Sequence, residues 1–408
     1  MNTGAAGLTG AVLVVGGGPV GLSAALALRA AELPVLVLEA GPVDRARPGS
    51  RAIFIHRESL SHLEIASPGL GREIAAHGLV WSTKRTFWGE RQVYERTYPP
   101  PDGRGLPHST NLPQVTTERL LLDACKAAGV EFAWDAEVTA VESRSDGVRL
   151  EDAGGRKWQA DFVVAADGAR SAVRRQLAIP MEGSRSENAF VIVDVAEEDG
   201  AARRPERVFY YHHPAVGGRN VLLVPFAGGW RADLQCRGDD RPEDFSDPDG
   251  VRQWIGRVLD PSYADRVSWV STYRFLQMVA ANFTDSHRRV LLVGEAAHLF
   301  APFGARGLNS GVADAVSAAA AIRAAAERPS VRSEAVDAFA AERRRAALYN
   351  RSAAGAALAH MQASDLRTRA ARAGAALLAR AGQRAGAWLD SAPYGPRADR
   401  RRGSDGTY

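Results

Sequence analysis

Cysteine is almost absent from this sequence. Of 408 residues only Cys125 and Cys236 are cysteines, far apart and without a CxxC partner. That excludes a disulfide framework and a structural zinc ribbon, and it suits a reducing cytoplasm. Lysine is also scarce, so nearly all of the 51 basic residues are arginine. They are spread along the chain, the net charge is only +4, and no basic-aromatic interleaving accompanies them, so no nucleic-acid partner is expected. The one dense basic run, 397–402, lies in a Gly/Ser/Asp-rich stretch and reads as part of a solvated, disordered tail over 396–408. Long apolar runs are missing too. The single candidate, 11–31, carries three consecutive glycines, a proline and Arg29, which argues against a membrane span. The opening MNTGAAGLTG has no basic segment, so no secretory leader is expected and the cytoplasm is the expected compartment.

What is present is ordinary for a globular chain: 46% hydrophobic and 24% charged residues, enough to exclude disordered and fibrous classes. The length allows a sizeable core divided between two domains. Residues 12–15 read as a buried strand, 21–31 as a helix ended before Pro34, and 35–38 as a second buried strand, together one βαβ unit. Residues 51–79 look helical, with a loop at 67–69, and the Pro/Gly-rich stretch 97–113 reads as an irregular crossing. A helix is expected over 116–128, a hairpin over 137–151 and a buried strand over 162–166. Between 188 and 280 strand-like runs recur and helices are few. The α/β character returns after 290, followed by Ala-rich helices to about 390.

Three loops carry chemistry. In GGGPVG, Gly16, Gly18 and Gly21 occupy GxGxxG positions, with Pro19 and Val20 opening the helix. Gly16 allows the tight turn, Gly18 lets the backbone approach a pyrophosphate, and Gly21 lets the helix pack on the sheet. Glu39 ends the second strand, where a carboxylate can accept hydrogen bonds from a ribose diol. This set predicts binding of an ADP moiety without choosing between NAD and FAD. In VVAADGARSAVRR a strand ends at Asp167-Gly168 before a helix near Ser171; alone, this is also an ordinary turn. In GEAAHLFAPFGARGLNSG, Gly294 and Glu295 end a strand, Pro302 and Gly304 bend a loop, and Gly307, Leu308 and Asn309 offer backbone N–H groups at a helix start, a place that favours negative charge.

These three loops, in this order, resemble the fingerprint set of the p-hydroxybenzoate hydroxylase family of FAD-dependent aromatic hydroxylases, over about residues 10–320. The resemblance implies an α/β fold: a Rossmann-like FAD-binding domain of the glutathione reductase type in two parts (1–185 and 283–330), an inserted, mostly antiparallel β-sheet substrate domain (186–282), and C-terminal helices (331–395). It implies non-covalent FAD with its diphosphate on Gly16–Gly21 and its flavin on 294–309. By similarity, Arg51 in GSRAIFIHRESL folds over the flavin, Gln114 in LPQVTTERLL contacts the cofactor, and Val138 supplies backbone contact to adenine. Arg306 keeps a positive charge near the flavin, and Pro302 shapes the flavin and substrate environment. Two departures stand out: Glu295 where most members have Asp, and Ala305 where the wider family more often has glycine.

For the substrate, period-two alternation in RVFYYHH puts Phe209, Tyr211 and His213 on one strand face. Two stretches are candidates for the substrate roof, 207–220 and 228–236; in the first, Tyr211 and His213, with Asn220 on the next strand, are the expected substrate contacts, while the opposite face with Tyr210 and His212, and ordinary sheet packing, stay open. The activity implied is a monooxygenase that uses NADH or NADPH and O2 to hydroxylate a phenolic or other electron-rich aromatic, polyketide-like substrate through a C4a-hydroperoxyflavin. No second GxGxxG is present for the nicotinamide, and no metal is required. An FAD-dependent dehydrogenase or reductase, a halogenase (no WxWxIP-like stretch is seen), and a non-enzymatic FAD-binding partner protein stay open as alternatives.

Overall fold

The computed structural model describes residues 12–45, 49–51, 53–99, 105–197 and 204–396. The expected tail and leader-free N-terminus, and the middle of the expected crossing, lie outside them. Val12–Val15 and Val35–Leu38 are uninterrupted runs of Val and Leu, as strands buried on both faces require. They sit inside a five-stranded, wholly parallel sheet in the order Val290–Leu292, Phe162–Ala165, Val12–Val15, Val35–Leu38, Glu131–Ala133. Pro19, with φ pre-set and no N–H to satisfy, starts the helix Pro19–Ala30. One apolar core joins this sheet, that helix, the helix Arg306–Glu327 and the small antiparallel sheet made by Val138–Arg144, Gly147–Asp152 and Lys157–Ala160.

The second body is an eight-stranded sheet in the order His298–Leu299, Val267–Ala280, Met181–Ala196, Gly229–Gln235, Arg219–Phe226, Glu206–His213, Thr83–Trp88, Arg91–Thr97. All pairs are antiparallel except Glu206–His213 with Thr83–Trp88. Two of these strands come from 83–97, ahead of the expected insert. One face of the sheet carries its own apolar core under the helix Pro248–Val258. Part of the other face packs on the C-terminal helices Arg332–Gln362, Leu366–Leu378 and Gln383–Ser391. Residues 51–79 prove to be a short strand, Phe54–His56, paired with Ser109–Asn111, followed by the helices Arg57–Ala66 and Leu70–His77.

Candidate cofactor and substrate site

The two bodies enclose one continuous cavity of about 2990 Å³, several times the roughly 300–1,000 Å³ of an ordinary small-molecule pocket. Its first end is the glycine turn. Gly16 has φ +103°, and a Cβ there would lie 2.5 Å from the Ala166 carbonyl oxygen; a Cβ on Gly21 would lie 1.9 Å from the Gly16 carbonyl oxygen. Both positions therefore demand glycine, for the turn and for the close approach of helix to sheet. Gly18, Pro19 and Val20 line the opening. Glu39 is buried there. Its Oε2 accepts from the Gly17 amide at 2.6 Å and its Oε1 from the Gly41 amide at 3.0 Å. Arg45 lies 3.4 Å from Oε1 and donates to the Gly17 carbonyl.

Arg51, Gln114 and Val138 all line the same cavity. Arg51 is exposed, with φ +49°, and Gln114 donates to Glu118 Oε1 at 2.7 Å. Asp167 does two things. Its Oδ2 accepts from the Val173 amide and so holds the start of the helix Ala172–Gln176, whereas its buried Oδ1 has no hydrogen-bond partner among the described residues. Burial pushes this carboxyl above its usual value, against the hydrogen bonds that oppose the rise. The turn reading of Asp167-Gly168 thus describes a real feature, and the ligand reading stays a proposal.

The second end is the loop after Val290–Leu292. Gly294 takes φ +59°, Glu295 is exposed, and Pro302, Gly304 and Leu308 line the cavity. A Cβ on Gly307 would meet nothing within 4 Å, so the start of the helix Arg306–Glu327 is open. Ala305 sits in the left-handed region at φ +53°. The Asn309 side chain is fully committed. It accepts from the His56 amide (2.9 Å) and Ser59 Oγ (2.7 Å), and donates to the carbonyls of Phe54 (3.0 Å) and Ala305 (2.7 Å). Asn309 therefore pins the loop and leaves only its backbone for a ligand.

Arg306 lies at the cavity wall, and its guanidinium donates to Asn350 Oδ1 at 2.8 Å and to the carbonyls of Tyr394 and Pro396, each at 3.0 Å. These N–H groups are directed at the C-terminal segment. The expectation that Arg306 keeps a positive charge near the flavin stays a proposal.

The substrate expectation needs correction. The pairing of Glu206–His213 with Arg219–Phe226 shifts between Tyr210 and His213, and His212 has φ +56°. This bulge breaks the alternation. His213 turns to the Tyr210 face, ring centroids 4.4 Å apart, and caps the following turn through Nδ1. Tyr211 is wholly buried under the C-terminal helices, hydrogen-bonded to the Leu389 carbonyl (2.7 Å) and to His360 Nε2 (2.8 Å). Of the three residues, Asn220 alone lines the cavity, and it is already bonded to Gln235 Oε1, the Met361 carbonyl and the His212 amide.

Two groups of residues were not anticipated. His298 Nε2 meets Asp314 Oδ2 at 2.7 Å, with His298 Nδ1 buried and without a hydrogen-bond partner among the described residues; the GEAAH stretch was the available signal. Lys84 and Arg207 on the cavity wall both contact Asp390 of the last helix, Arg207 at 3.1 Å. The stretch 228–236, a candidate for the substrate roof on sequence grounds, does supply cavity wall: Arg231, Asp233 and Gln235 line the cavity together with Phe190, Phe275 and Phe303.

Residues 9–351 match the family model described as "FAD binding domain". This chain belongs to that family, and FAD is its cofactor. The FAD-binding chain is 29% identical over 348 residues to 6-methylpretetramide 4-monooxygenase of Streptomyces rimosus, covering 81% of this chain and 58% of that protein. It is 28% identical over 325 residues to a 3-(3-hydroxy-phenyl)propionate/3-hydroxycinnamic acid hydroxylase of Klebsiella pneumoniae, covering 76% and 55%. The chain thus spans just over half the length of these curated relatives. Among solved structures, p-nitrophenol 4-monooxygenase PnpA from Pseudomonas putida DLL-E4 superposes with a TM-score of 0.76 at 26% identity, over 96% of this chain and 100% of that one. The residues present fit the cofactor: the glycine cradle admits no Cβ at two positions, an orphaned Asp167 oxygen is buried at the cavity wall, and an open helix start closes the far end. Among the described residues no cluster suited to a metal ion exists, and no helix is long and apolar enough to cross a membrane.

Proposed function

We propose that this chain is an FAD-dependent monooxygenase that uses NADH or NADPH and O2 to hydroxylate a phenolic or other electron-rich aromatic, polyketide-like substrate in the cytoplasm. The observation that carries the reading is the single cavity running from the glycine turn, past the helix start, to the phenylalanine-rich face of the eight-stranded sheet. It has the volume for two ligands placed end to end. The relatives' names, each a monooxygenase or hydroxylase of a ring-bearing compound, support the choice. Both cysteines are buried free thiols, in keeping with a reducing compartment.

When bound, FAD supplies electron transfer and oxygen activation; the chain supplies position and electrostatics. In this reading Gly16, Gly18 and Gly21 accommodate the diphosphate, Glu39 holds the adenosine ribose, Val138 borders the adenine, and Gln114, Arg51 and Asp167 flank the middle of the cofactor. Glu295 reaches the ribityl chain. The backbone N–H groups of Gly307, Leu308 and Asn309, at the start of a helix of 22 residues, favour negative charge on the ring system. Pro302 and Gly304 shape the wall between cofactor and substrate. The frame 1–185 with 283–330 then serves the cofactor, and 186–282, joined by strands from 83–97, roofs the substrate.

The test is a panel of phenols and fused aromatic phenols, scored for stimulated NAD(P)H oxidation with mass analysis of products. Oxidation coupled to gain of one oxygen atom is expected. Oxidation that never yields an oxygenated product across the panel would overturn the reading.

A further inference from the structure

The polar wall of the cavity contains a carboxyl group with one buried oxygen that has no hydrogen-bond partner among the described residues. Along Gly229–Gln235, Arg231, Asp233 and Gln235 face the cavity in alternation. The outer two are committed. Arg231 lies 3.4 Å from Asp194 Oδ1 and donates to Ser50 Oγ; Asp194 also accepts from the Ser50 amide (2.8 Å) and hydroxyl (2.7 Å). Gln235 accepts from Asn220 at 2.8 Å.

Asp233 sits between these pairs. Its neighbours across the sheet are Ile192 on one side and Leu222 on the other, neither able to donate. Asp233 Oδ1 is shielded from solvent and has no hydrogen-bond partner among the described residues. Arg231, the cation that acts on it, is matched by Asp194. Burial is the main reason that the Asp233 carboxyl is pushed up to about 6; Arg231 opposes the rise and Asp194 adds to it. A carboxylate left this way is costly unless a ligand brings a donor, and such groups are characteristic of functional sites.

We propose that Asp233 is a substrate-binding and catalytic residue: it accepts a hydrogen bond from a ring hydroxyl of the substrate and takes that proton as the ring is attacked. This rests on the oxygenase reading above and extends it by naming the group that selects a hydroxyl donor. In the step, the substrate O–H bond breaks and a new O–H bond forms on Asp233. The electron pair stays with the substrate oxygen and ring, and Asp233 is neither oxidised nor reduced. A simple phenol has a pKa of about 10, so the proton moves fully only as oxygen adds to the ring; before that the contact is a charge-assisted hydrogen bond. The raised carboxyl is a better proton acceptor than an ordinary aspartate, as general-base catalysis prefers.

The experiment compares phenols with their methyl ethers as ligands of the FAD-loaded protein, read by perturbation of the flavin absorbance, in wild type and in Asp233→Asn. The wild type should bind the phenol at least about tenfold more tightly than the ether, because a site built around a hydroxyl rejects the analogue that leaves it unpaired. Asp233→Asn, with FAD content unchanged, should shrink that ratio to about twofold. Asp233→Glu, which keeps the charge one methylene further out, should fall between. If the variants keep the wild-type ratio, the assignment of Asp233 is overturned while the oxygenase reading stands. If the ratio collapses as expected but bound phenols never become oxygenated, the oxygenase reading fails and Asp233 remains the hydroxyl-binding group.

Discussion

His298 and Asp314 are joined at 2.7 Å behind the loop that follows the fifth strand of the parallel sheet, and the other oxygen of the same carboxylate meets Arg343 Nε at 2.7 Å. Asp314 also accepts from the Gly294 amide. One buried side chain thus ties the strand end, the loop and the long helix Arg332–Gln362 together. Burial alone would raise the Asp314 carboxyl; His298 and Arg343 outweigh it and hold it below the usual carboxylate range. A carboxyl whose folded pKa is lowered contributes stability above its unfolded value and loses it as pH falls through the folded one. Asp314→Asn is therefore expected to cost about 3–5 kcal/mol near neutrality, the scale for breaking a buried ion pair. The gap to wild type should narrow below about pH 4. Chemical denaturation across that range checks it, and a pH-independent gap would count against the account.

Arg306→Met should act on the C-terminal segment and leave the cofactor nearly alone. Three acceptors on 350–396 take its guanidinium N–H groups, so the variant should lose roughly 1–3 kcal/mol of stability. Residues 390–396 should become more open to proteolysis. Flavin should stay bound, with a midpoint potential near that of wild type. A large fall in potential without loss of stability would instead show that the Arg306 charge acts on the flavin.

Glu39→Gln should weaken FAD by roughly 1.5–3 kcal/mol, the scale for hydrogen bonds to a charged group. It should also lower the stability of the cofactor-free protein, since Glu39 already accepts from the Gly17 and Gly41 amides. Flavin release on dilution and melting of the cofactor-free protein measure the two effects separately. Unchanged affinity in a folded variant would remove Glu39 from the ribose site.

Ala305→Gly should be mildly stabilising. Ala305 is held at φ +53°, where an L-residue with a Cβ costs about 1–2 kcal/mol. Glycine removes that cost but loses about 0.5–1 kcal/mol of unfolded-chain freedom. The net gain should be roughly 0.5–1 kcal/mol, seen as a small rise in melting temperature.

The cofactor frame was legible in the sequence because its signals are local. Two Val/Leu runs, a glycine turn between them and Glu39 just after the second fall within thirty residues and fix one βαβ unit. The substrate wall was legible only as two candidate stretches, 207–220 and 228–236, for three physical reasons. Thr83–Trp88 joins Glu206–His213 across more than a hundred residues, and its TKRTFW pattern does not announce a partner. The bulge at His212 breaks the alternation that put His213 beside Tyr211. Last, the alternation in GWRADLQ does say that Arg231, Asp233 and Gln235 share a face, but not whether that face meets bulk water or an enclosed cavity. Only the packing of the two bodies decides that.

Asp233 supplies the last prediction, one that needs no substrate. Its folded carboxyl is pushed up to about 6, above the roughly 3.9 of an unfolded aspartate. A raised carboxyl contributes most below the unfolded pKa, and that contribution is lost as pH rises through the folded one. The window is therefore pH 4 to 6. Above it, the folded protein carries an ionised carboxylate between Ile192 and Leu222 whose buried Oδ1 has no donor among the described residues. The shift of about two units corresponds to at most about 3 kcal/mol. Asp233→Asn keeps the shape and removes the charge, so it should be more stable than wild type at pH 8 by up to that amount. The advantage should fade as pH is lowered to 4, where wild type is itself neutral at this position. Phenol ligands that donate to Asp233 should raise the melting temperature of wild type more than that of the variant, reversing part of the difference. Denaturant titrations at pH 4, 6 and 8 read the first effect. A variant that is less stable than wild type at pH 8 would mean that Asp233 is a structural acceptor satisfied from within the fold, and not a group left open for a ligand.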